Sequence, residues 1–121
     1  MGWRTTANYK EYLKRHGARR ARLGRAQEEN VEAILLKMRE RGLIDDFKRS
    51  RPNSKMDAEG KDFSVTKLMN GVEVVRYFGM TISMKSRNNA RVRYPDVPQF
   101  TFPVGINSST IERRILELFS E

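Results

Sequence analysis

Residues 60–86 read Gly-Lys-Asp-Phe-Ser-Val-Thr-Lys-Leu-Met-Asn-Gly-Val-Glu-Val-Val-Arg-Tyr-Phe-Gly-Met-Thr-Ile-Ser-Met-Lys-Ser. Both ends of this stretch alternate in the manner of a half-buried strand. At the front, Asp62 and Ser64 share one face and Phe63 and Val65 the other; at the back, Thr81, Ser83 and Lys85 lie opposite Ile82 and Met84. Between them, Asn70-Gly71 is a strong hairpin signal. The stretch therefore predicts a strand over 61–68, a tight turn, and a strand over about 74–86 interrupted at Gly79. An acid on one strand and a lysine on its neighbour, each among apolar residues, is unusual in a small core. An exposed strand face, which carries both residue types routinely, is the alternative.

Upstream, residues 25–41 hold the clearest helical pattern. Val31, Ile34, Leu35 and Met38 follow the i, i+3, i+4, i+7 rule, and Gly42 supplies the stop. Acids crowd the first turns (Glu28, Glu29, Glu32) and bases the last (Lys37, Arg39, Arg41), as the helix dipole favours. Residues 5–23 also read as helix, with Gly24 ending the segment. Leu43 to Arg49 reads as a first strand and Ser50 to Glu59, with Pro52, as a polar loop. Downstream, Arg87 to Tyr94 reads as a short Arg-rich helix and Gln99 to Val104 as a fourth strand with Phe100 and Phe102 on one face. A capping box of Ser109 and Glu112 opens a closing helix bearing Ile111, Ile115, Leu118 and Phe119. The expected fold is α/β (an α+β mixed sheet): about four strands flanked by helices over 25–121, behind a basic helical arm over 1–24.

The length of 121 residues suits one domain, and 38% hydrophobic residues suffice for a modest core. The absence of cysteine excludes disulfides and thiolate metal sites. No apolar run approaches membrane-spanning length, and the N-terminus lacks the apolar core of a secretion signal. A cytoplasmic protein without a membrane partner is the expectation.

The net charge is +9, and its placement is uneven. Residues 1–25 carry eight Lys and Arg against one acid, Glu11. Phosphate backbones are the commonest partner of such a patch; a solvated basic helix or a tail is the alternative. Arg15, Arg19, Arg20, Arg22 and Arg25 are candidate phosphate contacts, as are Arg87, Arg91 and Arg93 after Lys85. DNA is expected ahead of RNA. Trp3, Tyr9 and Tyr12 lie among these cations and suit either base stacking or packing of the arm on its own domain. His16, the one histidine, reads as a surface residue. Nothing marks a dimer interface, and a homodimer stands open.

An Asp on one strand, and a residue two positions before a Lys on the next, is the skeleton of a divalent-metal nuclease site. In such a site carboxylates hold Mg²⁺, which polarises a phosphate and lowers the pKa of an attacking water; the lysine orients that water or steadies developing charge. The spacing Ser83-x-Lys85 puts both side chains on one strand face, and the Met84 carbonyl lies within reach of the same ion. Glu28, at the upper end of the buried helical stripe, suits a dipole or capping role or a role at the metal.

The order helix, three-strand meander with Asp and then x-x-Lys, helix, strand resembles the PD-(D/E)xK nuclease superfamily, the restriction-endonuclease-like fold. The resemblance covers about residues 25–120 and rests on Gly60-Lys61-Asp62-Phe63-Ser64-Val65 and Ile82-Ser83-Met84-Lys85-Ser86. It implies that Asp62 is the metal-binding acid, that Lys85 is the catalytic lysine, that Glu28 matches the first-helix acid of some members, and that the cofactor is Mg²⁺. Ser83 stands where the superfamily has an acid or a glutamine. Another acid then substitutes, or the fold serves as a catalytically silent nucleic-acid-binding or assembly module. Register sets a further condition. A two-residue turn at Asn70-Gly71 pairs Met69 with Val72 and places Asp62 opposite Gly79, four residues or roughly 13 Å from Ser83. The superfamily geometry needs a wider turn, or a bulge for which Gly79 is the natural position.

Overall fold

A computed structural model describes residues 2–120; the side chains of residues 2–18, 20 and 21, all in the first helix, lie outside that description. The elements are α1 (Gly2–Glu40), β1 (Asp46–Arg49), α2 (Lys55–Ala58), β2 (Phe63–Met69), β3 (Val72–Thr81), α3 (Met84–Arg93), β4 (Gln99–Thr101) and α4 (Ser108–Glu117). They form an open mixed sheet of four strands in the order β1-β2-β3-β4, flanked by helices. The first three strands are an antiparallel meander, and β4 runs parallel to β3 after the α3 crossover.

The break expected at Gly24 is absent, since α1 is one helix of 39 residues that runs across the boundary between residues 24 and 25. A lone glycine costs about 1 kcal/mol in a helix interior, and neither proline nor a capping residue follows it to turn that cost into a stop. The helix ends as expected at Gly42, whose φ is +76°. The Gly42 N–H donates to the Arg39 carbonyl at 3.1 Å and the Leu43 N–H to the Met38 carbonyl at 2.9 Å, the paired closure of a Schellman motif.

The hairpin is a two-residue turn in which Asn70 (φ 54°) and Gly71 (φ 81°) are both left-handed, as a type I′ turn requires. Pairing then runs without interruption from Met69↔Val72 to Phe63↔Phe78. Neither a wider turn nor a bulge at Gly79 occurs. Three expected bounds also change. β3 stops at Thr81, α3 begins at Met84, and the last helix is capped by Asn107, whose side chain accepts from the Ser109 N–H, so Ser109 is not the cap. The polar loop before β2 holds the single turn α2, capped by Ser54.

One face of the sheet makes the core. Val31, Ile34, Leu35 and Met38 of α1 and Ile111, Ile115 and Phe119 at the closing helix are buried with Phe63, Val65, Phe78, Met80 and Phe102. The Phe63 and Phe78 rings stack at 5.2 Å, and Phe100 continues the row to Phe102 at 5.4 Å per step. On the opposite face Leu68, Val75 and Tyr77 are exposed. α3 lies against β3 and β4 and buries none of its residues.

Two glycines give opposite expectations. A methyl group on Gly79 would run into the Gln99 side chain and come within 2.5 Å of the Gly60 carbonyl oxygen, whereas one on Gly24 meets nothing within 4 Å. Gly79→Ala is expected to destabilise the fold by about 1–3 kcal/mol. Gly24→Ala is expected to stabilise it by about 0.5–1 kcal/mol. Equilibrium urea unfolding of the two variants measures both.

Candidate functional site

Asp62 sits just before β2, fixed on both sides by backbone. Its N–H donates to the Phe78 carbonyl at 2.9 Å and its carbonyl accepts from the Ser50 N–H at 2.8 Å. Gly60, with a φ of +76°, turns the preceding chain out of the ladder, and its carbonyl is taken by the Gln99 side-chain amide at 3.2 Å. The Met80 N–H on β3 is instead met by the Asp62 carboxylate at 2.7 Å. Asp62 thus finishes the β2–β3 ladder with its side chain.

Burial raises the pKa of Asp62 to about 6, against the pull of the Met80 N–H. The charges of Glu28 and Asp57 push in the same direction as burial, and Arg49 opposes them. Glu28 is half-buried and is itself raised, first by burial, with Arg49 opposing. Arg49 divides its guanidinium between Glu28 at 3.5 Å and Glu32 at 3.4 Å. Carboxylates from α1, α2 and the start of β2 therefore lie in one another's field, with the Arg49 guanidinium from β1 among them and Arg25 of α1 also acting on Glu28. A small cavity of about 220 Å³ adjoins Glu28, between Gly24 and Arg25 of α1 and Met80, Thr81 and Ile82 at the end of β3.

The second half of the expected site is built differently. Ser83, Met84 and Lys85 do not continue the strand. Ser83 is the N-cap of α3, and its hydroxyl oxygen accepts the Ser86 N–H at 3.2 Å. The Thr81 hydroxyl fixes the same turn by donating to the Ser83 carbonyl at 3.1 Å. Met84 opens the helix, so its carbonyl belongs to the helical ladder. Lys85 is exposed on the first turn of α3 and is not among the charges that act on Asp62. The structure brings Asp62 and Glu28 into electrostatic range and assigns Ser83 and Lys85 to another element. The physical reason is local: Ser-x-x-Ser satisfies helix donors as readily as the alternation suits a strand.

The donor set does not fit Mg²⁺. The Asp62 carboxylate is engaged by a backbone N–H, Glu28 by a guanidinium and Ser83 by a cap. Among the described residues no group of three or more His, Cys, Asp or Glu converges to hold a metal ion.

The expected phosphate contacts divide into two sets. Arg19, Arg22 and Arg25 are exposed on α1; the side chains of Arg15 and Arg20, like those of Trp3, Tyr9, Tyr12 and His16, lie outside the described residues. On α3, Arg91 is exposed and Arg87 half-buried. Sequence reasoning missed Arg49, Asp57 and Arg114. The polar loop around Asp57 and the closing helix bearing Arg114 carry no local pattern that points to a site. No described helix is long and apolar enough to cross a membrane. Comparison of the chain with protein-family models, with curated proteins and with solved structures gave no match.

Substitutions at two positions separate these roles. Between about pH 4 and 6 the unfolded chain has already lost the Asp62 proton while the folded chain keeps it. Stability therefore falls as pH rises through that window, by up to about 1.4 kcal/mol per pH unit, and stays lower above it. Asp62→Asn keeps an acceptor for Met80 and is expected to remove the Asp62 part of this slope and leave the part that the raised Glu28 contributes, read from urea unfolding at a series of pH values. Ser83→Ala is expected to cost about 1 kcal/mol through the lost cap, and Ser83→Asp, an equally good cap, to cost little; thermal unfolding ranks the three proteins.

Proposed function

We propose that this protein is a nucleic-acid-binding module of nuclease-like architecture, with DNA the preferred partner over RNA, and that it binds without hydrolysing. The observed order of one long helix, an antiparallel meander, a helix and a parallel fourth strand supports the likeness to the PD-(D/E)xK fold. The engagement of Asp62, Glu28 and Ser83 by the protein's own groups supports the silent form of it.

The observation that carries the proposal is a set of cations on α3 without an ion-pair partner among the described residues. Elsewhere several cations are paired: Arg39 with Asp46, Arg41 with Glu112, Arg49 with Glu28 and Glu32, Lys61 with Glu59. α3 carries Lys85, Arg87, Arg91 and Arg93 and no acid, and among the described residues none of the four is in an ion pair. Like charges one turn apart destabilise a helix, and this helix buries nothing in return. α1 exposes Arg19, Arg22 and Arg25, three of the eight cations that residues 1–25 carry against one acid. A polyphosphate backbone offsets both repulsions.

Fluorescence anisotropy with labelled duplex and single-stranded DNA over a range of salt tests this. Affinity is expected to fall steeply with salt. The Arg19/Arg22/Arg25→Gln protein is expected to flatten the log–log slope by about 3, close to one per lost phosphate contact. Salt-insensitive binding, or none, would overturn the assignment. In Mg²⁺ or Mn²⁺ the wild-type protein is expected to leave supercoiled DNA intact; nicking that Lys85→Ala or Asp62→Asn abolishes would restore hydrolysis.

A further inference from the structure

β4 is one of the two edge strands of the sheet, and a cleft of about 520 Å³ runs beside it. α3 contributes Arg87 and Arg91 to its wall, one turn apart on one face, and α4 contributes Arg114. Thr101 of β4 and the aromatic ring of Tyr94 border the same space. The one carboxylate in the wall is Asp96, so cations outnumber acids there three to one. Arg114 has only a long partner on its own helix, Glu117 at 3.8 Å.

Two polar atoms in this wall are buried without a hydrogen-bond partner among the described residues, the Arg87 Nε and the Thr101 hydroxyl oxygen. An unpaired buried donor of this kind is expensive, and folded proteins almost always meet it. Both atoms can donate. Together with the Arg91 and Arg114 guanidiniums they ask for a compact group with several acceptor oxygens and negative charge. A phosphoryl group has that form, and guanidinium forks match it two oxygens at a time. The cleft is larger than a free phosphate needs and lies in the range of small-molecule sites. Val97, Pro98 and Phe100 make an apolar part of its wall that suits the organic part of a phosphoester.

We propose that this cleft is a phosphate-binding site that takes the phosphoryl group of a nucleotide, free or at the end of a strand. Arg87 gives its Nε–H and Thr101 its hydroxyl to the inner oxygens. Arg91 and Arg114 close on the outer oxygens, and the apolar wall holds the nucleoside. The site shares Arg87 and Arg91 with the nucleic-acid reading above and so rests on it in part. It needs nothing from the N-terminal helix, so the two fail separately.

Isothermal titration calorimetry of the full chain with uridine 5′-monophosphate, and with uridine as the phosphate-free control, tests the site. The monophosphate is expected to bind saturably and uridine not to bind. Arg91→Gln and Arg114→Gln, both exposed, are expected to weaken binding about tenfold each with the melting temperature unchanged. Arg87→Lys, which keeps the charge but not the Nε donor, is expected to do the same. Anisotropy with 5′-phosphorylated and 5′-hydroxyl strands separates the sources. Tighter binding of the phosphorylated strand assigns the site to strand ends. Equal binding of the strands, with the monophosphate still bound, assigns it to free nucleotide. Equal affinity for uridine and its monophosphate, or monophosphate binding unchanged in the Arg91/Arg114→Gln double variant, would overturn the proposal. Monophosphate binding that survives in a chain unable to bind long DNA would leave the cleft standing and remove the broader assignment.

Discussion

The two left-handed residues at Asn70 and Gly71 fix the register of the central hairpin, and most of the molecule follows from that register. With Met69 opposite Val72, Phe63 meets Phe78 and the two rings stack on the core face. A slip of one residue would part the two rings and send one of them to the face that now exposes Leu68, Val75 and Tyr77. The same count puts Gly79 beside the chain that precedes β2. Because Gly79 has no side chain, Gln99 reaches across to the Gly60 carbonyl, and β4 docks in parallel with the Gly79 N–H donating to Pro98 at 2.8 Å. Tyr94 lies over Gly60, whose φ of +76° and missing Cβ admit the ring.

The parts of this arrangement that were legible in the sequence are those with a period or a turn code. The stripe Val31, Ile34, Leu35, Met38 is buried as its spacing implies, and Asn70-Gly71 turns as its residue types imply. Even the separation of Asp62 from Ser83 followed from counting residues back from that turn. What was not legible lay where one local pattern serves two structures. Thr81-Ile-Ser-Met-Lys-Ser alternates like a strand and also carries a serine three residues before a donor that needs a cap. The choice is made by the end of the ladder, since β2 begins only at Phe63, its pairing with β3 ends at Phe78, and the Met80 N–H is met by a side chain. Gly24 is the converse case, a breaker too weak to act alone. Arg114 and Thr101 meet Arg87 through the crossover and the closing helix, contacts no local pattern encodes.

Asp62 shows how a functional signature and a structural one converge on the same residue. A half-buried carboxylate with a pKa raised to about 6 and other acids in its field is what a general base or a metal ligand looks like. Here the same features come from closing a β-ladder. Met80 presents an N–H that must be met, the chain at Gly60 has turned away, and a carboxylate is the nearest acceptor. The cost appears as the raised pKa, and Arg49 relieves it only in part because its charge is already shared by Glu28 and Glu32. Structural ion-pair networks perturb pKa values as active sites do. Geometry therefore decides, and the geometry gives Asp62 a partner that is backbone.

The two large clefts of the molecule share the Tyr94–Pro98 segment as a common wall, and their comparison shows why only one of them calls for an anion. The larger, of about 730 Å³, also holds cations, among them Lys61, Arg76 and Arg93. Each of these is engaged. Lys61 is 2.7 Å from Glu59 and lies over the Tyr77 ring, Arg76 donates to the Leu118 carbonyl at 3.2 Å, and Arg93 lies over Tyr94. In the cleft beside β4 neither the Arg87 Nε nor the Thr101 hydroxyl oxygen has a partner among the described residues. Three cations line each cleft, offset by Glu59 and Asp96 in the larger and by Asp96 alone beside β4, so both sides draw a phosphate at long range. At contact distance the engaged cations would first have to give up partners. The unengaged pair gains by pairing, which places the anion at the edge strand.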